Sequence, residues 1–252
     1  MHSLIVEVAV FLIIGGLIGL FGGLFGVGGA IMSIPILGIF FGMSEQLAQG
    51  TSLVMVVSNV VLALWQYSRH QVMDRKKGIA LAISAIPFAY LGAHVATHIP
   101  GSTLRIAFGC FVLLIAAYMT WRVIGSIPAT KHPLPFPFVF VVGAISGIMA
   151  GMFGIGGAMF TIPAMTLLFG MTQVQSQGMA LALAVPGAFV GMATYAAAGD
   201  VDWSVGAALA VGGLLTVGWG AAFAHRLPDR TLRLLWVAFL VTAAIGLFLR
   251  SV

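Results

Sequence analysis

Apolar positions along this chain fall into long runs separated by short polar stretches. Long, nearly uncharged runs of this kind are typical of helices that cross a membrane. The pattern therefore predicts an all-α, polytopic membrane protein. We expect ten helical segments in two groups of five, at about 4–22, 30–42, 51–68, 78–97 and 104–122, and at about 136–150, 158–170, 179–198, 204–225 and 232–249.

The two groups of segments are copies of one unit, related by a shift of 128 residues. Residues 15–53 match residues 143–181 without a gap, at 16 of 39 positions. Each copy holds the same core, GLFGVGGAIMSIP in the first and GMFGIGGAMFTIP in the second. Tyr67 then matches Tyr195, and Asp74 matches Asp202. We expect a first repeat at 1–124, a cytoplasmic linker at 125–135 and a second repeat at 136–252.

Composition supports the membrane assignment, because 61% of the residues are hydrophobic and only 7% are charged. A soluble domain carries roughly a quarter charged residues. The formal charge of +5 does not indicate a nucleic-acid partner, since the basic residues lie in short loops between apolar runs. One cysteine, Cys110, excludes an intrachain disulfide.

The distribution of basic residues predicts how the copies are oriented. If the first two segments of each copy enter and leave on the same side, loops 69–77, 122–132 and 225–233 share one face and hold nine of the eleven Lys and Arg residues. If that pair crosses once instead, the split is seven against four. Cytoplasmic loops collect Lys and Arg. We therefore predict inverted repeats in a bacterial cytoplasmic (inner) membrane, with both termini outside.

Inverted repeats are typical of secondary transporters. Exchanging the conformations of the two copies converts an outward-open state into an inward-open one. Channels are also built this way, so a channel-like carrier remains an alternative.

A candidate site lies where each copy is interrupted by glycine. The first two segments of each copy, on either side of this break, are both expected to be short. The segments at 30–42 and 158–170 cover only roughly 20 Å, against the roughly 30 Å of hydrocarbon in a bilayer. Glycine-interrupted short helices at matching positions indicate a transporter's binding site, and their first N–H groups favour an anion. We expect the short helices of the two copies to meet near the midplane of the membrane. The candidate substrate-binding residues are Gly26, Gly28, Gly29, Ala30, Ser33, Gln49, Thr51, Ser52 and Asn59, with Gly154, Gly156, Gly157, Ala158, Thr161 and Gln177.

Structural explanations compete for some of these residues. Gly15, Gly19 and Gly23, with their counterparts at 143, 147 and 151, form the small-residue ladder of a tight helix contact, and we expect packing only. Pro35 and Pro163 can be simple kinks. Gln49 and Gln177 fall near predicted helix starts, so capping is as good an explanation as ligand contact.

The duplicated Gly-x-Gly-Gly motif followed by Ile-Pro resembles the TauE/SafE sulfite exporter family, as do Gln-Gly before the third segment and Gly199-Asp-Val-Asp-Trp203. The resemblance covers essentially the whole chain. It implies a transporter of small sulfur-containing anions such as sulfite, thiosulfate or short organosulfonates. The first copy departs from the pattern, with Gln71-Val-Met-Asp-Arg75 in place of that last loop, which argues against a ligand role for Asp200 or Asp202.

Other residues suggest weaker alternatives. His94 and His98 share a helix face, which would suit a metal ion or proton sensing, although we expect no metal. Glu7 and Glu45 are expected to be exposed at the outer interface, with a proton relay as the alternative. The aromatic anchors expected at the membrane interfaces are Trp65, Trp121, Trp203 and Trp236.

An enzyme is not expected. The Gly runs lack the G-x-G-x-x-G and G-K-[ST] patterns of nucleotide sites, so no cofactor is predicted. Ser146-Gly147 is the nearest match to an intramembrane serine nucleophile, but Ala144 stands where that motif has glycine. The prediction is an anion exporter, with an importer of another anion such as a carboxylate, or a hydrolase, as alternatives. Proton or ion coupling and oligomeric state stay open.

Overall fold

The computed structural model describes residues 2–70, 74–124 and 133–249 of the chain. Loop residues 71–73 and most of the expected linker, residues 125–132, lie outside the described residues. The described part is all helical, as predicted. Its ten helices are α1 (His2–Phe25), α2 (Ala30–Phe40), α3 (Glu45–His70), α4 (Arg75–His98), α5 (Gly101–Ile124), α6 (Phe138–Phe153), α7 (Ala158–Leu168), α8 (Gln173–Ala197), α9 (Trp203–Arg226) and α10 (Asp229–Leu249).

Six helices of the described part are long and apolar enough to cross a membrane: α1, α3, α4, α5, α8 and α9. Helices α2 and α7 have only 11 residues each. The expectation that the first helix of each copy is also short was wrong for α1, which has 24 residues. Its apolar run continues through the glycine ladder to Phe25, because glycines in a helix that packs closely on another do not end it.

Local signals explain several helix boundaries. Asp74 caps α4 by accepting a hydrogen bond from Lys77 N, and Asp202 caps α9 by accepting from Ser204 N and Val205 N. Thr172 and Gln175 form a capping box at the start of α8. Helices α3 and α8 therefore begin about six residues before the expected segments, since polar first turns are part of both helices.

Contacts between the copies build the core. Helix α1 packs along α9, and α6 packs along α4, so the first helix of each copy lies against the fourth helix of the other. The glycine ladders form both contacts. A Cβ atom on Gly19 would lie 2.5 Å from Gly213 Cα, and one on Gly147 would lie 2.6 Å from the carbonyl oxygen of Ala85. The packing explanation for the ladders is therefore confirmed.

Helices α3 and α8 pack side by side and are the most buried of the six candidate membrane spans. Gln49 contacts Tyr195, Leu53 lies beside Gly191, and Tyr67 contacts Gln177. As the residue number rises along α3, the partner's number falls along α8. These two equivalent helices therefore run antiparallel.

Two expectations about side chains were wrong. Trp236 is fully buried, with its ring 5.5 Å from Phe25 and 5.8 Å from Phe239, so it is not an interfacial anchor. Glu45 is also fully buried and pairs with Arg105 at 3.3 Å. Helix α5 brings that guanidinium to the start of α3, where it offsets the charge of the carboxylate. Trp65, Trp121 and Trp203 are exposed, as expected.

Candidate functional site

Each glycine break is a short stretch of left-handed backbone between two helices. The φ angles are +68° at Gly26, +72° at Gly28, +64° at Gly154 and +64° at Gly156. Residues with a Cβ atom rarely adopt such angles, so the breaks require glycine. Gly29 and Gly157 have the same handedness and stand directly before α2 and α7.

The two breaks approach each other at the middle of α3. A Cβ atom on Gly28 would lie 2.9 Å from Val56 Cγ1, and one on Gly156 would lie 3.8 Å from the same atom. Ala184, the counterpart of Val56, lies beside Gly156 at 3.1 Å. The short helices of the two copies thus begin close together in the protein interior, as the fold prediction required.

The N-termini of α2 and α7 are uncapped by any side chain among the described residues. Ala30 and Ala158, the first helical residues, are fully buried. The first N–H groups of a helix have no partner within the helix and carry the positive end of its dipole. Each of these buried helix starts therefore favours a negative charge in its surroundings.

The hydroxyl side chains near the breaks bond mainly to each other. Ser33 donates to Ser52 at 2.8 Å. Thr161 Oγ1 lies 2.8 Å from Ser146 Oγ and 2.9 Å from the carbonyl oxygen of Gly157, which can accept its proton. These pairs join α2 to α3 and α7 to α6. Ser146 is thus engaged with a threonine, which does not favour its role as a nucleophile.

Asn59 contacts the first glycine break, whereas Thr51 contacts the start of α9. Asn59 is fully buried and donates to the carbonyl of Gly28 at 3.2 Å, so it holds the first break directly. Its carbonyl oxygen has no hydrogen-bond partner among the described residues. Thr51 lies near the start of α3 and accepts a hydrogen bond from Asp202 N at 2.9 Å. Its observed contact therefore supports the start of α9 rather than a break.

The two glutamines lie beside the breaks, each beside the break of the other copy. A Cβ atom on Gly26 would lie 2.8 Å from Gln177 Cβ, and one on Gly154 would lie 3.2 Å from Gln49 Cβ. Both glutamines lie one turn inside their helices, and Thr172 and Gln175 supply the cap of α8. Capping therefore does not explain Gln177.

Two tyrosines that sequence reasoning did not place at the site hold these glutamines. Tyr195 donates to Gln49 Oε1 at 2.6 Å, and Tyr67 donates to Gln177 Oε1 at 3.0 Å. Each hydroxyl also lies near a carbonyl at the end of the first helix of a copy, Gly151 or Gly23. The match of Tyr67 with Tyr195 in the repeat alignment was the signal that could have identified them.

The loop aspartates serve the helix starts instead of the breaks. The hydrogen bond from the Ser204 side chain holds the pKa of Asp202 below its usual value, and that from Lys77 does the same for the pKa of Asp74. Burial raises the pKa of Asp200. This capping role agrees with the argument against substrate contact by Asp202.

His94 and His98 lie on an exposed face, with His98 Nδ1 2.7 Å from the carbonyl of His94. Within residues 2–70, 74–124 and 133–249, no three His, Cys, Asp or Glu side chains lie together as a metal site would require.

Comparison with known proteins identifies similar chains. The sequence model described as "Sulfite exporter TauE/SafE" matches residues 11–247. A probable membrane transporter protein of Methanocaldococcus jannaschii is 32% identical over 62% of this chain and 60% of its own length. Probable membrane transporter proteins of Bacillus subtilis (YunE) and Xylella fastidiosa are each 26% identical, over 88% and 93% of this chain and 91% of their own lengths. No solved structure matches the chain significantly.

Proposed function

Because this chain belongs to the sulfite exporter TauE/SafE family of membrane transporters, we propose that it is a secondary transporter that exports small sulfur-containing anions. Sulfite, thiosulfate and short organosulfonates are the proposed substrates, and alternating access is the proposed mechanism. The anion gradient, the membrane potential or protons supply the driving force. Transport, rather than catalysis, is the proposed activity.

One observation carries the proposal, namely the meeting of the two uncapped helix starts at Val56. A small oxyanion between the breaks would accept hydrogen bonds from backbone N–H groups, since glycine has no side chain of its own to cover them. The region between the breaks contains neutral side chains, so the dipoles of α2 and α7 supply the attraction for the anion. Gln49, Gln177 and Asn59 are the side chains best placed to add donors.

In a transporter built from inverted repeats, alternating access exchanges the conformations of the two copies, and we propose that the copies of this chain are inverted. The antiparallel course of α3 and α8 supports this inference, as does the pairing of each first helix with the fourth helix of the other copy. Because cytoplasmic loops collect Lys and Arg, the basic loops favour an orientation in which the ends of α3 and α9 and the start of α8 lie on the cytoplasmic side of the bacterial inner membrane. In this arrangement both termini lie outside.

Binding of anions to the purified protein tests the function. The melting temperature in detergent is measured with sulfite, thiosulfate, sulfoacetate and acetate at equal ionic strength. At 100 times its Kd, a bound anion stabilises the folded state by about 2.7 kcal/mol. We expect stabilisation and proteoliposome flux with at least one sulfur-containing anion. No shift with any anion, or a shift with acetate alone, would refute the proposed substrate class.

Topology is tested separately with reporters fused after Lys77 and after Asp200. The inverted arrangement predicts a cytoplasmic signal from the first fusion and an external signal from the second. The same side for both fusions would contradict inversion.

A further inference from the structure

Two polar clusters occupy equivalent places in the two copies. The Gln49 cluster consists of Glu45, Gln49 and Arg105, and the Gln177 cluster consists of Gln173, Gln177 and Arg233. Each residue of the second lies 128 positions after its counterpart in the first. Glutamine and arginine are retained, whereas the carboxylate of Glu45 is replaced by the neutral amide of Gln173.

In the Gln49 cluster the carboxylate of Glu45 lies between two donors. Its Oε1 is 3.5 Å from Gln49 Nε2, and its Oε2 is 3.3 Å from Arg105 Nε. The side chain is fully buried. A carboxylate is itself a small oxyanion, so this contact indicates that the two donors are spaced to hold one.

In the Gln177 cluster the two equivalent donors have no acceptor among the described residues. Gln177 Nε2 and Arg233 Nε are both buried and have no hydrogen-bond partner among the described residues, and neither do the amide atoms of Gln173. Asp229 accepts from Gln173 N at 2.6 Å and from Arg233 Nη2 at 2.8 Å. Both of its carboxylate oxygens are therefore engaged, and Arg233 Nε remains available.

Buried donors without a partner are unfavourable, and such groups in a folded protein require an explanation. Here two of them correspond to the pair that holds a carboxylate in the other copy. Gln177 also lies directly beside the break at Gly26, and Tyr67 holds its carbonyl oxygen. Tyr67 thus bonds to the amide oxygen of Gln177 and leaves the amide nitrogen, Nε2, without a partner.

We propose that Gln177 Nε2 and Arg233 Nε bind one small oxyanion, and that Glu45 is a built-in anion occupying the equivalent site in the other copy. The identity of that oxyanion as a sulfur-containing substrate rests on the proposed function. The Gln177 cluster is then free to accept an anion from solution, whereas the Gln49 cluster is already occupied by the carboxylate of Glu45. This asymmetry favours anion entry from the side of Arg233, which the basic loops place in the cytoplasm.

Two matched pairs of variants test the proposal, with sulfite, thiosulfate and sulfoacetate as probes in titration calorimetry. Gln173→Glu places a carboxylate beside the donors of the Gln177 cluster, whereas Gln175→Glu adds the same charge half a turn away and keeps the capping box. We expect Gln173→Glu to raise the Kd at least tenfold and Gln175→Glu to leave it within about twofold, the range expected from a surface charge.

Glu45→Gln removes the built-in anion, and Glu7→Gln removes an exposed carboxylate as its control. We expect Glu45→Gln to bind one more anion per chain than Glu7→Gln, and Glu7→Gln to bind as many as wild type. Wild-type affinity in a folded Gln173→Glu protein would overturn the proposal. If Gln173→Glu does not fold, the stoichiometry of Glu45→Gln decides, and a stoichiometry equal to that of wild type overturns it. A wild-type chain that binds none of the probes refutes the proposed function as well.

Discussion

Replacing Gly28 with alanine tests whether the meeting of the breaks depends on close packing as well as on backbone conformation. At φ +72° an L-residue is in the left-handed region, which costs roughly 1–2 kcal/mol. The new Cβ atom would also lie 2.7 Å from Val60 Cγ1 and 2.9 Å from Val56 Cγ1. Both valines are fully buried and have one strongly preferred rotamer in a helix, so they do not turn away easily.

Gly42→Ala is a matched control, because Gly42 has φ +66° and nothing within 4 Å of its added Cβ atom. It incurs the backbone cost alone. Overpacking a buried site adds about 1–3 kcal/mol, so Gly28→Ala should lose about 2–5 kcal/mol in total. Gly156→Ala, with its closest contact at 3.1 Å, should fall between the two.

Thermal unfolding in detergent measures this ranking. One kcal/mol corresponds to a shift of about 2–4 °C for a chain of this size. Gly28→Ala should therefore melt about 2–12 °C below Gly42→Ala, and it should lose transport in proteoliposomes. Equal melting temperatures for the three variants would refute close packing at Val56 as the reason for glycine.

Two further predictions concern hydrogen bonds at the glutamines and at the helix starts. Tyr195→Phe removes the donor to Gln49 and leaves a buried acceptor unpaired, so it should lower stability by about 1–3 kcal/mol and weaken anion binding; an unchanged melting temperature and Kd would contradict this role. Asp202→Ala should destabilise α9 by about 1 kcal/mol at neutral pH. Because the hydrogen bond from Ser204 lowers the folded-state pKa of Asp202 below its usual value, its contribution to stability is present above the unfolded-state pKa and is lost as pH falls through the folded-state pKa. The difference in melting temperature between wild type and Asp202→Ala should therefore shrink in acid. The difference between Asp202→Asn and Asp202→Ala should depend less on pH. A constant difference between wild type and Asp202→Ala would refute the capping role of the carboxylate.

Much of this architecture was predictable from local features of the sequence. The helix starts at Ala30 and Ala158 follow from glycines that alone tolerate positive φ, and the short helices after them follow from the length of the apolar runs. The ladders of Gly15 and Gly143 indicated close helix contact, because small residues at a spacing of four share one face of a helix. These features depend on backbone freedom and periodicity, which neighbouring residues determine.

The partners of the site residues depended on distant parts of the chain. Gln49 lies beside the break of the second copy and Gln177 beside that of the first, because each copy packs its first helix against the other copy. Glu45 was expected to be exposed, yet Arg105 pairs with it in the interior.

The sequence by itself determined the duplicated five-helix unit, the membrane class and the glycine breaks, since composition, repeat register and local backbone preference are properties of the chain taken in order. The tertiary structure alone decided which side chains meet at the breaks and which donors remain unpaired. Those outcomes depend on contacts such as Tyr195 with Gln49, which join residues far apart in the chain and form only when the two copies pack together.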